Sequence, residues 1–249
     1  DKIPIVLVHG TFSSPVAWAE MANTLRADPV INRKYQMWNF FYDSGKRIGI
    51  SAQELRDALS AQVQQLDPAG TNTALRKMII IGHSQGGLLT KLTATDTGDA
   101  FVRLATGKSL AQLDASDEDR AHLEKEVIFK PLPFVSRVVF ISTPHRGSFL
   151  SKNWVRTLVL KMITLPRGVL QSTANLMRTV AQLGVPEAHA QQLISMTSLD
   201  VMSPNSPVLQ TLADIPLAPG IKGNSIIAID GDETPPDGDD GVVKYTSAH

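Results

Sequence analysis

Gly82-His83-Ser84-Gln85-Gly86 fits the pattern G-x-S-x-G, and Gly87 follows it. By composition alone that pattern arises in about one chain in ten of this length, so its surroundings decide its meaning. The apolar run Met78–Ile81 leads directly into it and LLTKLTAT follows, which supplies a strand, a sharp turn and a helix. A serine on such a turn is presented as a nucleophile, and its neighbours must lack side chains because strand and helix approach closely around it. Ser84 is therefore the candidate nucleophile for acyl transfer. A second segment bears on the same chemistry: His9-Gly10-Thr11-Phe12 ends the apolar run Ile3–Val8. A strand that stops at His-Gly leaves a backbone amide at the carboxyl edge where Ser84 belongs, and a developing oxyanion needs such a donor. The backbone N–H groups of Thr11 and of Gln85, the residue after the nucleophile, form the candidate oxyanion hole. His9 reads as a packing and hydrogen-bonding residue rather than a proton carrier.

A serine nucleophile also needs a base, and the base an orienting acid. Carboxylates crowd the late segment DGDETPPDGDDGVV, where Asp230, Asp232, Glu233, Asp237, Asp239 and Asp240 all qualify by type. Those without a catalytic part read as a solvated turn. Hard oxygen ligands in such a cluster suit calcium, but the loop spacing of an EF-hand is missing and no metal is assigned. The histidines are His9, His83, His122, His145, His189 and His249. His83 lies inside the turn beside Ser84 and must point elsewhere, while His122 and His189 stand in polar, helical surroundings that ask no role of them. His249 alone follows the carboxylate cluster.

The elements that must position these groups follow from the hydrophobic pattern. Short apolar runs at 3–8, 36–42, 78–81, 138–141 and 225–229 read as strands buried on both faces, separated by stretches of helical spacing. That alternation predicts an α/β fold with a mostly parallel sheet and helices on both faces. Ser51 with Glu54 reads as a capping box ahead of Leu55, Leu59, Val63 and Leu66, and Ser116 with Asp119 opens another helix. Two insertions interrupt the alternation. The stretch 97–133 is polar and reads as a solvated surface helix. The stretch 149–219 contains NWVRTLVLKMITLP and TANLMRTVAQLGVP, two amphipathic segments with no strand between them. It reads as a helical cap or lid over the carboxyl edge of the sheet, with extra helices beside the core as the alternative.

The chain has 249 residues, 43% hydrophobic and 19% charged, which suits a single α/β domain and excludes a disordered or fibrous one. Lys and Arg number 24 against 24 Asp and Glu, so no basic field draws the chain to nucleic acid or anionic lipid. Cysteine is absent, which removes disulfides, thiol nucleophiles and thiolate metal sites. No apolar run approaches the roughly 18 residues of a membrane span. The opening DKIPIVLVHG lacks the features of a signal peptide, and the chain starts without Met, which suggests removal of an upstream segment.

Taken together, VLVHGTF, IGHSQGG, VVFISTPHRGS and GDDGVV resemble bacterial esterases and lipases of the α/β-hydrolase fold, over essentially the whole chain and in the expected order. The resemblance implies a Ser-His-Asp hydrolase with no cofactor. It selects Asp240, which precedes a Gly and an apolar pair as the acid of those lipases does, ahead of Asp232 and Asp239. It assigns His145 to a structural segment. It also places one more strand and then the catalytic His after the stretch matching YTSAH, so the base is expected beyond residue 249, with His249 as the fallback. The expected substrate is a small-molecule ester, a lipid or a polyester, with an apolar acyl pocket under the cap. A thioesterase or amidase on the same triad, and a noncatalytic binding scaffold, are the rival readings. Secretion or envelope association is the compartment the resemblance favours.

Overall fold

The computed structural model describes residues 1–148, 202, 206–230 and 236–249. Their strands β1 (Ile3–Val8), β2 (Tyr35–Phe40), β3 (Met78–His83), β4 (Val135–Ile141) and β5 (Lys222–Ile226) form one sheet in the order β2-β1-β3-β4-β5. Every neighbouring pair is parallel. A 3-10 turn at Pro15–Trp18, α1 (Ala19–Ala27) and α2 (Pro29–Lys34) join β1 to β2, and α3 (Ile48–Leu66) joins β2 to β3. Between β3 and β4 lie α4 (Gln85–Lys91), α5 (Ala100–Thr106) and α6 (Asp117–Val127). Helix α7 (Pro207–Asp214) precedes β5, and α8 (Tyr245–Ala248) comes last.

Alternate residues of each central strand feed opposite faces, as a pleated strand requires. Val6 and Val8 of β1, Met78 and Ile80 of β3, and Val138 and Phe140 of β4 join Leu55 and Leu59 of α3, Leu88 and Leu89 of α4, and Leu209 and Leu212 of α7 in the larger core. Ile5 and Leu7, with Ile79, Ile81 and Ile141, meet Trp18, Met21 and Ala22 on the other face. The chain leaves β1 toward β2 on one side and returns to β3 on the other. In open parallel sheets the crevice outside the carboxyl ends at such a reversal is where ligands bind. Here it lies between the ends of β1 and β3.

Several elements differ from the sequence reading. Helix α3 starts at Ile48 with Arg47 as its N-cap, so Ser51 is a buried interior residue and no capping box opens the helix. Burying the Ile48 side chain in the core yields about 1.5–3 kcal/mol, more than the roughly 1 kcal/mol a serine cap contributes. Strand β5 begins three residues before the apolar run and is exposed along its length, not buried on both faces. Pairing of Lys222–Ile226 with Arg137–Ile141 sets its position, over residues that no apolar pattern marks. Ser116 does cap α6, its Oγ accepting from Asp119 N, yet the stretch 97–133 is not solvated throughout. Val102, Leu110, Leu113 and Leu123 close a small core of their own. Toward the end of the 149–219 insertion, Ser206 opens α7, and α7 packs into the main core. The two amphipathic segments assigned to the cap lie outside the described residues.

Candidate active site

Ser84 stands between the last residue of β3 and the first of α4, with φ 51° and ψ −124°. A left-handed φ on a residue with a Cβ costs on the order of 1–3 kcal/mol and persists only where the surroundings enforce it. They do so from three sides. Ser84 N–H donates to Ile141 O at 2.9 Å, tying the turn to β4. Every residue of α4 is buried, so the helix cannot swing away. The glycines admit the close approach: a Cβ on Gly86 would overlap the carbonyl oxygens of Val8 and His9, and one on Gly82 would overlap Gly86 O. The turn after β1 lies against Ser84: a Cβ built on Gly10 would be 3.0 Å from Ser84 Cβ.

Of the two residues assigned to the oxyanion, Gln85 follows Ser84 directly and Thr11 follows Gly10, the residue set against Ser84. Gln85 is the first residue of α4, and a helix supplies no acceptor for its first N–H groups. In the β1 turn the Phe12 N–H is engaged by Ser44 Oγ at 3.0 Å. The Thr11 and Gln85 side chains meet, Thr11 Oγ1 donating to Gln85 Oε1 at 2.6 Å. Beneath them His9 is buried, its Nδ1 donating to Gly10 O at 2.9 Å and its ring stacked on Tyr42. Tyr42 OH donates to His9 O at 2.8 Å, and burial raises the Tyr42 pKa, which keeps that proton in place.

The late carboxylate loop returns to the same edge. Ser148 Oγ donates to Val242 O at 2.6 Å and Ser247 Oγ to Gly147 O at 2.5 Å, docking residues 242–247 on the segment after β4. Asp240 Oδ1 accepts from Val242 N and Val243 N at 3.0 and 2.6 Å. That geometry fixes one carboxylate oxygen and leaves Oδ2 for another donor. Asp240 acts electrostatically on His83: desolvation lowers the His83 pKa, and the Asp240 charge pulls it back up. Asp239 Oδ1 instead accepts from Gly241 N within its own turn. Asp232 and Glu233 lie outside the described residues.

The described histidine rings stand apart, with His189 and the His122 side chain outside the described residues. His83 turns its ring edge-on to Trp18, at 6.3 Å between centroids. His145 lies edge-on to Phe140 at 4.7 Å, and its buried Nδ1 has no partner among the described residues. Burial, then Lys91 and Arg146, push its pKa down to about 4. His249 is exposed, its ring stacks on Tyr245 at 5.6 Å, and its carbonyl rather than its ring accepts from Arg146 Nη1. Among the described residues no imidazole nitrogen hydrogen-bonds Ser84 Oγ. No three His, Asp or Glu side chains among them converge as a metal site would need, and no helix among them is long and apolar enough to cross a membrane. Sequence reasoning missed Ser44 at this edge, since FYDSGK carries only a turn signal.

No protein-family model and no curated protein matches the chain. Solved structures do. The mature lipase BlEst2 of Bacillus licheniformis is 17% identical, with a TM-score of 0.52 over 100% of this chain and 79% of that one. The lipase of Staphylococcus hyicus is 18% identical, with a TM-score of 0.52 over 100% and 79%. Phospholipase PlaB of Legionella pneumophila is 14% identical, with a TM-score of 0.52 over 100% of this chain and 45% of that one. At such identities the likeness establishes fold alone, and the fold is that of the α/β-hydrolases.

Proposed function

We propose that the chain is a serine carboxylic-ester hydrolase of the esterase and lipase type. The observation that carries this reading is Ser84, strained at the β3–α4 junction with the β1 turn against its Cβ. In the reaction Ser84 Oγ attacks the ester carbonyl carbon while its proton passes to a histidine base. The carbonyl oxygen becomes an oxyanion held by the N–H groups of Thr11 and Gln85. Collapse expels the alcohol, which takes the proton from the base and leaves an acyl-serine. Water repeats the sequence on the acyl-enzyme and releases the acid. Asp240 orients the base through Oδ2. No cofactor enters. Lipids and polyesters, with small esters, are the proposed substrate class.

One observation favours a noncatalytic binding scaffold instead: no described imidazole reaches Ser84 Oγ. Labelling by a fluorophosphonate probe, with turnover of p-nitrophenyl butyrate, separates the two. Wild-type protein should label at Ser84 and hydrolyse the ester. Ser84→Ala should fold, remain unlabelled and lose turnover by about 10⁶-fold. A folded wild type that neither labels nor hydrolyses selects the scaffold. Retention of more than about a tenth of the activity in Ser84→Ala removes Ser84 as the nucleophile. A p-nitrophenyl thioester and an anilide, assayed beside the ester, decide between esterase, thioesterase and amidase.

A further inference from the structure

The two amides of the oxyanion hole come from segments far apart in sequence, the β1 turn and the first turn of α4. No covalent link fixes their mutual position, yet stabilising one oxyanion demands that both aim at one point. We infer that the side chains of Thr11 and Gln85, with Ser44, are positioning residues that hold these amides in register; the inference rests on the hydrolase reading above.

The geometry is a closed circuit. Thr11 Oγ1 donates to Gln85 Oε1 at 2.6 Å, and Gln85 Nε2 donates to Ser44 O at 3.2 Å. Ser44 Oγ in turn accepts from Phe12 N at 3.0 Å, and the peptide bond from Phe12 back to Thr11 completes the ring. The direction of each bond is determined by chemistry. Ser44 O is a carbonyl and only accepts, so the Gln85 amide must face it with its nitrogen and offer its oxygen to Thr11, whose hydroxyl then has to donate. Gln85 is 0% and Ser44 9% exposed, so water does not substitute readily for a lost partner.

Two features tie this circuit to the oxyanion rather than to general stability. It joins the very residues whose backbone N–H groups serve the site. It also consumes the Phe12 amide, which belongs to a residue at φ 52°, and so leaves Thr11 as the donor of that turn. The segment 41–47 is thereby a third wall of the site, fastened to both of the others.

Thr11→Val removes the hydroxyl at constant shape, Gln85→Met removes the side-chain amide while keeping the backbone N–H, and Ser44→Ala removes the acceptor for Phe12. With p-nitrophenyl butyrate each should lower kcat by about 10- to 100-fold, since displacing an oxyanion donor by a fraction of an ångström weakens it chiefly in the transition state. KM should stay within about twofold, the mark of an interaction absent from the ground state. Fluorophosphonate labelling of Ser84 should still go to completion, and Thr11→Ser should restore kcat to within about threefold of wild type by returning the donor. Wild-type kcat in the folded variants, a loss confined to KM, or a Thr11→Ser variant as slow as Thr11→Val overturns the inference while the hydrolase reading stands. Should Ser44→Ala not fold, the Thr11→Val and Thr11→Ser pair decides alone. A wild type that neither labels nor turns over overturns both.

Discussion

Asp240 and Asp239 are adjacent carboxylates in one turn, and the backbone amides they hold differ. Asp240 is pinned through Oδ1 by two backbone amides and interacts with His83 beside the nucleophile, whereas Asp239 Oδ1 closes the turn on Gly241 N. Under the proposed mechanism Asp240→Asn should lower kcat by roughly 10⁴-fold, because an amide in place of Oδ2 would no longer fix the tautomer of the base. Asp239→Asn should cost less than about tenfold, and so should His249→Ala, whose ring is committed to Tyr245. Steady-state kinetics of the three variants check this, and damage centred on Asp239 would move the acid by one residue. At this scale the strained turn at Ser84 was legible, because a sharp strand-to-helix turn needs glycine around the serine at fixed spacing. Ser44 was not, because a hydrogen bond to Phe12 across 32 residues leaves no local pattern.

Helix α4 illustrates what an element contributes that no residue can. It is buried throughout, and its first turn lies so close to the end of β1 that only a hydrogen fits on the α carbon of Gly86. Gly86→Ala should destabilise the fold by more than about 2 kcal/mol, since the obstructing atoms are backbone carbonyls that cannot rotate aside. Urea melts should register that loss, and activity should fall further than stability because α4 carries the Gln85 amide. Unchanged stability would mean that β1 and α4 are less tightly apposed than described. The central strands were legible in the sequence because each alternates between two apolar faces. The start of α3 and the position of β5 were not: tertiary burial of Ile48 outweighed a local cap, and strand pairing placed β5 over polar residues.

Parallel topology runs through the described sheet, and it explains why motifs separated along the chain share one edge of it: the ends of β1, β3 and β4 all point the same way. That much follows from strand-helix alternation alone, whereas the hold of the 242–247 segment on the β4 end depends on hydrogen bonds no periodicity announces. Two buried bases give the molecule a pH response. Burial chiefly, with Arg146 opposing and Asp214 favouring its charge, brings Lys91 down to about 8 from 10.5, and His145 falls to about 4 from 6.5. The unfolded chain binds the extra proton in each interval, so stability should rise with pH between about 4 and 6.5 through His145 and between about 8 and 10.5 through Lys91. Urea unfolding from pH 4 to 7 should show a shallower slope in His145→Phe than in wild type, and identical slopes would exclude His145 as the source. A last consequence follows from the depth of α4. Its amides and those of β3 should exchange with solvent only when the main core opens, so the serine turn they share should be among the slowest of the described residues to open. Breathing of exposed β5 or of the helices over the small 97–133 core should leave that turn intact, so Ser84 should keep its geometry until the main core itself opens.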